Sequence, residues 1–188
     1  MKNKTLFIGV VIAIIVNIIF LVCGVLFAVC GYKSPYVALF ITSLMFAYHT
    51  DVRILIGTFF TLTKSKINVN KKIFEIKENE FAFLSKLGVK RWKDNFIALY
   101  KNQFILKSTR DKNQIEKVLK NNICAEIVHW VGFFVGFFAI LIGCLISVDE
   151  LWLYIITAVL TSLLVDLPPI LIQRYNRFRL QKIYKSLK

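Results

Sequence analysis

Long apolar runs separated by short charged stretches divide this chain. Leu6–Tyr32 holds no charged side chain over 27 positions. At about 1.5 Å per residue such a helix crosses a hydrocarbon core about 30 Å thick. A second apolar segment begins at Pro35 and extends to about Leu62, with the polar group YHTDVR (48–53) in its middle. It reads either as one long tilted helix or as a span that breaks near Thr50. Residues 64–122 are polar and basic, with short apolar patches such as FAFLSKLGV (81–89). A third apolar segment runs from Ile123 to Val148, and Asp149–Glu150 marks a short turn. The fourth, Leu151–Ile172, is interrupted by Pro168–Pro169, whose missing backbone donors kink a helix. The pattern predicts an all-α integral membrane protein of about four transmembrane helices, with a basic cytoplasmic subdomain between the second and third. Residues 1–63 are then N-terminal membrane segments, 64–122 the basic interfacial subdomain, and 123–188 a C-terminal helical hairpin with a basic tail.

Composition supports that class. The chain is 57% hydrophobic with mean hydropathy +0.63, more apolar than a soluble domain of 188 residues. The first segment is too long for a signal peptide and lacks its small-residue cleavage site, so it reads as a retained anchor. All four cysteines lie in apolar segments without metal-like spacing and read as reduced, packed thiols. The spacing indicates no metal site, and no tightly bound cofactor is expected.

A net charge of +14 raises the question of nucleic acid, but its placement answers otherwise. Lys2 and Lys4 precede the first span, fifteen Lys and Arg lie between Lys64 and Asn122, and six follow Ile172. These are the flanks that the positive-inside rule assigns to the cytoplasm. The reading is a multi-pass protein of the cell membrane with both termini cytoplasmic, whose cations meet anionic headgroups rather than nucleic acid. Its oligomeric state is left open.

Against this background AEIVHWVGFF (125–134) is anomalous, because it puts Glu126 and His129 into an apolar run. Ionisable groups in a bilayer are costly and face protein. At 100° per residue Glu126, His129, Gly132, Gly136, Ala139 and Gly143 share about a third of the helix circumference. Phe134, Phe137 and Phe138 take the other side. The small residues include a G-x-x-x-G suited to close helix packing. His129 lies about 10 Å inside the interface by helical rise, and Asp166, counted back from Arg174, about 12 Å. Glu126, His129 and Asp166 are therefore expected to converge in a polar pocket. Asp166, Gln173 and Arg177 share a face leading to the basic tail. A structural Glu126–Arg174 ion pair with His129 as a packing residue is the blander alternative. The other histidine, His49, sits beside Asp51 and Arg53 in the second segment.

RWKD (91–94), AEIVHW (125–130) and QRYNRFRL (173–180) resemble, in order and spacing, the glycosyl-4,4'-diaponeurosporenoate acyltransferases. This small membrane family acts late in staphyloxanthin-type carotenoid synthesis. The resemblance spans about Ile73 to Lys188, and YHTDVRILIG (48–57) is similar to a motif of related proteins. The chain departs from the pattern at Phe178 (usually proline), at Asp166 (an amide in some members) and at Phe96-Ile97, where a proline commonly follows RWKD. The resemblance implies transfer of a fatty acyl group to a sugar hydroxyl of a membrane glycolipid, with acyl-CoA as co-substrate. His129 is then the expected base, and Glu126 or Asp166 its orienter. Arg174, Arg177 and Arg179 are the expected phosphate ligands, with Tyr175, Asn176, Trp92, Asp94, His49 and Arg53 as further substrate contacts. Two other classes remain. One is a different small-membrane transferase such as a methyltransferase, because AEIVHWVG faintly resembles that group. The other is a non-enzymatic tetraspan lipid-binding or accessory protein.

Overall fold

The computed structural model describes residues 2–31, 34–92, 111–146 and 151–187. Asp94 and the Asp149–Glu150 turn fall outside them, and of Trp92 only the backbone is described. The described residues form helices and turns, with no strand among them. In order they are α1 (Lys2–Cys30), α2 (Ser34–Thr63), α3 (Glu78–Lys86), α4 (Val89–Trp92), α5 (Lys112–Gly136), α6 (Phe138–Ile146), α7 (Leu151–Thr161) and α8 (Leu167–Ser186). A π-helical turn, Ser162–Asp166, joins α7 to α8.

Among the described residues three helices are long and apolar enough to cross a membrane. They are Gly9–Cys30, Pro35–Phe60 and Leu151–Ser186, with mean hydropathies of 3.2, 1.3 and 2.1. The second segment is one uninterrupted helix, which settles the alternative at Thr50. The fourth expected crossing, Ile123–Val148, is not among the three. Its first part belongs to α5, which begins in charged sequence at Lys112, and the chain leaves regular helix at Phe137. Only nine residues, Phe138–Ile146, form the apolar helix beyond. Near the break Phe137 N–H bonds Phe134 O at 3.1 Å, a tighter i→i−3 contact. Helix ends leave carbonyls without their i+4 donors, and the Tyr48 hydroxyl donates to Val135 O at 2.9 Å.

The chain divides into two compact units, Met1–Ile56 with Val131–Asp166, and Gly57–Trp130 with Leu167–Lys188. In the first, Val37, Ile41 and Met45 recur every four residues along α2 and bury against Tyr154 and Ala158 of α7. Phe40 stacks on Phe27 of α1, with ring centroids 4.9 Å apart. The rest of α1 turns apolar side chains outward (Leu21 is 64% exposed and Val29 79%), an exterior suited to hydrocarbon rather than water. Asn17 on α1 donates to Asp51 on α2 at 3.1 Å.

The second unit has two cores. Ile115, Val118, Leu119 and Ile123 form the apolar stripe of α5 and bury against Leu180 and Tyr184 of α8. Asp111 caps α5 by accepting from Gln114 N–H at 3.1 Å. The other core joins Leu84, Val89 and Tyr175. Phe81 of α3 stacks between Tyr175 and Phe178 of α8, with centroid distances of 5.0 and 4.1 Å. Thus Phe178, where the resembled pattern has proline, is a buried aromatic anchor in a continuous helix.

The prolines of α8 sit in its first turn, directly after the π turn. An α-helical register would leave the carbonyls four residues back without a donor and set them against the proline rings. One wider turn moves the carbonyls away from the rings, so the helix is re-registered at Ser162–Asp166. Two buried polar residues, Ser162 and Asp166, stand at the ends of that turn.

Candidate functional site

Each unit holds a buried carboxylate. In the first it is Asp166, 0% exposed at the end of the π turn. Arg53 of α2 donates to its Oδ1 from Nη2 at 2.7 Å and from Nε at 3.2 Å. His49, one turn earlier on α2 and also buried, brings Nδ1 to 4.0 Å from Oδ2. The i, i+4 spacing of His49 and Arg53 sets both on one face of α2, so a single carboxylate meets imidazole and guanidinium together. A buried carboxylate needs a countercharge, and Arg53 supplies it.

Two glycines of α5 make the approach possible. A Cβ on Gly132 would stand 3.0 Å from Asp166 Oδ1. One on Gly136 would stand 2.6 Å from His49 Cε1, 3.0 Å from Nε2 and 3.2 Å from Ser162 Oγ. The G-x-x-x-G is therefore a seat for polar side chains, where the sequence suggested a helix-packing motif. The seat leaves His49 Nε2 buried and without a hydrogen-bond partner among the described residues. An imidazole with a carboxylate near one nitrogen and the other open has the makings of a base.

The second unit treats its carboxylate differently. Glu126 of α5, 4% exposed, accepts from Arg174 Nη1 at 2.6 Å and from Trp130 Nε1 at 3.2 Å. Arg177 pairs with its other oxygen. Arg174 also grips Glu80 of α3 with a fork, Nη2 to Oε2 at 3.0 Å and Nε to Oε1. Beside this network Asn122 donates to Gln173. The cluster ties α3, α5 and α8 together and resembles the cross-braces of a small domain.

The expected residues fall in both units. Asp166 is engaged by Arg53 and His49, and Glu126 by Arg174, Arg177 and Trp130, so each expected orienter already has cationic partners in its own unit. His129 is half-buried on α5, in the unit of Glu126. Arg177, expected to meet donor phosphates, is 1% exposed and faces Glu126. Arg174 is committed to two carboxylates. Tyr175 is buried in the aromatic stack, Asn176 is half-buried, and Arg179 alone of the three arginines is exposed. The blander expectation of a Glu126–Arg174 ion pair describes this cluster. Sequence reasoning missed Ser162 and Glu80. Ser162 had a signal, the i, i+4 spacing to Asp166, whereas Glu80 had none among the charges of a polar segment. Among the described residues no group of His, Cys, Asp and Glu is placed to hold a metal ion.

The family profile of glycosyl-4,4'-diaponeurosporenoate acyltransferase matches residues 64–186. The chain belongs to that family. The matched stretch covers well over half of the chain and includes Glu80, Glu126, His129, Ser162, Asp166 and both buried-cluster arginines. His49 and Arg53 precede it. Neither the curated proteins nor the solved structures give a match. Membership makes the protein one of an acyltransferase family tied to carotenoid glycolipid synthesis.

Proposed function

We propose that this acyltransferase moves a fatty acyl group from acyl-CoA to a sugar hydroxyl of a membrane glycolipid, with a glycosylated carotenoid acid as acceptor. The family match supports the reaction class. The observation that carries the mechanism is the buried His49, with Nδ1 4.0 Å from Asp166 Oδ2 and Nε2 open. O-acylation requires a base for the hydroxyl proton. His49 Nε2 takes that proton, Asp166 orients the ring through Nδ1, and Arg53 compensates the carboxylate. The Nδ1–Oδ2 separation of 4.0 Å is long for a hydrogen bond, and such contacts tighten when substrate binds. Cationic flanks support placing both termini and residues 64–122 on the cytoplasmic side of the cell membrane, where acyl-CoA is found.

A second reading keeps His129 as the base, favoured by its place inside the family-matched stretch. The test is purified full-length protein supplied with long-chain acyl-CoA and a glycosylated carotenoid acid. S-adenosylmethionine in place of acyl-CoA serves as the methyltransferase control. The proposal expects an acylated glycoside from acyl-CoA alone. Methylated product, or none from either donor, contradicts it. His129→Gln should leave transfer largely intact; a collapse of turnover there with His49→Gln unaffected would move the base to His129.

A further inference from the structure

We infer that Ser162 is the nucleophile of this site and carries the acyl group between donor and acceptor; the inference rests on the reading of His49 as base. Ser162 is 0% exposed and opens the π turn that Asp166 closes. Its Oγ and His49 Nε2 flank one methyl-sized position beside Gly136, 3.2 and 3.0 Å from it. Both atoms stand against the same glycine, with no Cβ there to separate them.

The hydroxyl is also held unlike its neighbours. Hydroxyls inside helices usually donate back to the carbonyl one turn earlier. Thr157 does so to Leu153 O at 2.7 Å, and Thr161 to Thr157 O at 2.6 Å. Ser162 instead reaches across to Phe133 O on α5 at 3.5 Å, the outer limit of a hydrogen bond. A buried, weakly held hydroxyl and a histidine nitrogen without a partner among the described residues stand against the same glycine, and that histidine's other nitrogen lies 4.0 Å from a carboxylate. These are the three roles of a nucleophile, base and orienter, recognised by geometry rather than by order in the chain. The local π turn presents the first and third members from one helix.

The chemistry balances without a redox partner. Ser162 Oγ attacks the carbonyl carbon of an acyl thioester while His49 Nε2 takes the Oγ proton. The adduct collapses, the C–S bond breaks, and the thiol leaves with the proton returned from His49. The product is an acyl ester on Ser162. An acceptor hydroxyl then attacks that ester and gives its proton to Nε2; the bond to Oγ breaks and Ser162 regains a proton from His49. The acceptor is never required together with the donor.

The experiment supplies the purified full-length protein with long-chain acyl-CoA and no acceptor, followed by denaturation and mass analysis. The wild type should gain one acyl group mapped to Ser162, and Ser162→Ala should gain none and lose transfer. Ser162→Cys should carry the group as a thioester, released by neutral hydroxylamine that leaves the serine ester intact; this variant separates loss of nucleophile from loss of fold. An acceptor acylated by the wild type with no enzyme adduct in a single turnover overturns the inference. So does Ser162→Ala at the wild-type transfer rate while His49→Gln is inactive; His49 then works directly on the acceptor and its role stands. His49→Gln at the wild-type rate would instead remove the underlying reading.

Discussion

Asp166 and Glu126 are both buried carboxylates facing arginine, and they differ in what else they touch. Glu126 meets two guanidiniums and an indole N–H, and one of those guanidiniums is pinned by Glu80. Asp166 faces the Arg53 guanidinium and a histidine whose far nitrogen has no partner among the described residues. The glycines make the same contrast. Gly132 and Gly136 bring backbone close to the Asp166 group, whereas the Glu126 group is enclosed by side chains of three helices. A carboxylate matched by two guanidiniums braces the fold, although Arg177 Nε and Asn122 Oδ1 beside it also lack hydrogen-bond partners among the described residues. A carboxylate shared with a histidine has beside it a group that can take a proton. Burial and charge alone do not distinguish the two.

The largest effect on stability should come from opening the closed cluster. Glu126→Ala leaves Arg177 buried without its partner and should cost about 3–5 kcal/mol, read by denaturant unfolding in detergent. If the variant stays as stable as wild type and loses only turnover, the comparison fails and Glu126 is a chemical group. Removing both charges sharpens the point. Glu126→Met combined with Arg177→Met should recover most of that loss, because an apolar pair of similar volume is often neutral against a buried ion pair.

The open cluster should be sensitive to crowding. Gly136→Ala places a Cβ 2.6 Å from His49 Cε1, so the ring must move. Overpacking of this kind costs about 1–3 kcal/mol, and turnover should fall further than that loss of folded protein explains. Wild-type turnover in a folded Gly136→Ala would show that the seat does not position His49.

The smallest effect belongs to the surface, where Lys185 donates to Glu75 at 2.5 Å. That hydrogen bond, with the lysine's charge, holds the Glu75 carboxyl below its ordinary value. Its stabilisation is therefore present above the unfolded carboxylate value and is lost as pH falls through the folded one. Lys185→Ala should differ slightly from wild type at neutral pH and converge with it in acid. A gap that widens in acid would reverse the sign.

The apolar spans over α1, α2 and the α7–α8 segment were legible because length and absence of charge suffice to identify them. The break at Phe137 was not, since Gly136, the last residue of α5, was read as a helix-packing residue rather than a stop. Phase arithmetic over Ile123–Val148 assumed one helix and so carried Ala139 and Gly143 onto the face of Glu126. Helical rise placed His129 and Asp166 by depth, but depth does not say which helix lies beside a residue. Asp166 lies against Gly132 of α5 and also meets α2, where His49 and Arg53 had been noted only as substrate contacts. The π turn was half-signalled by Pro168–Pro169, read as a kink though the helix absorbs them by re-registering. Glu80 could not be found in advance, because an acid in a basic, polar stretch looks the same whether solvated or braced.

The central claim is that chemistry belongs to the Asp166 group and stability to the Glu126 group. Turnover per mole of folded His49→Gln tests it most directly, because glutamine keeps a polar contact for Asp166 but cannot act as a base. The expected result is a fall of about 10²–10⁴-fold with the unfolding midpoint near that of wild type. Folded His49→Gln turning over at the wild-type rate would contradict it.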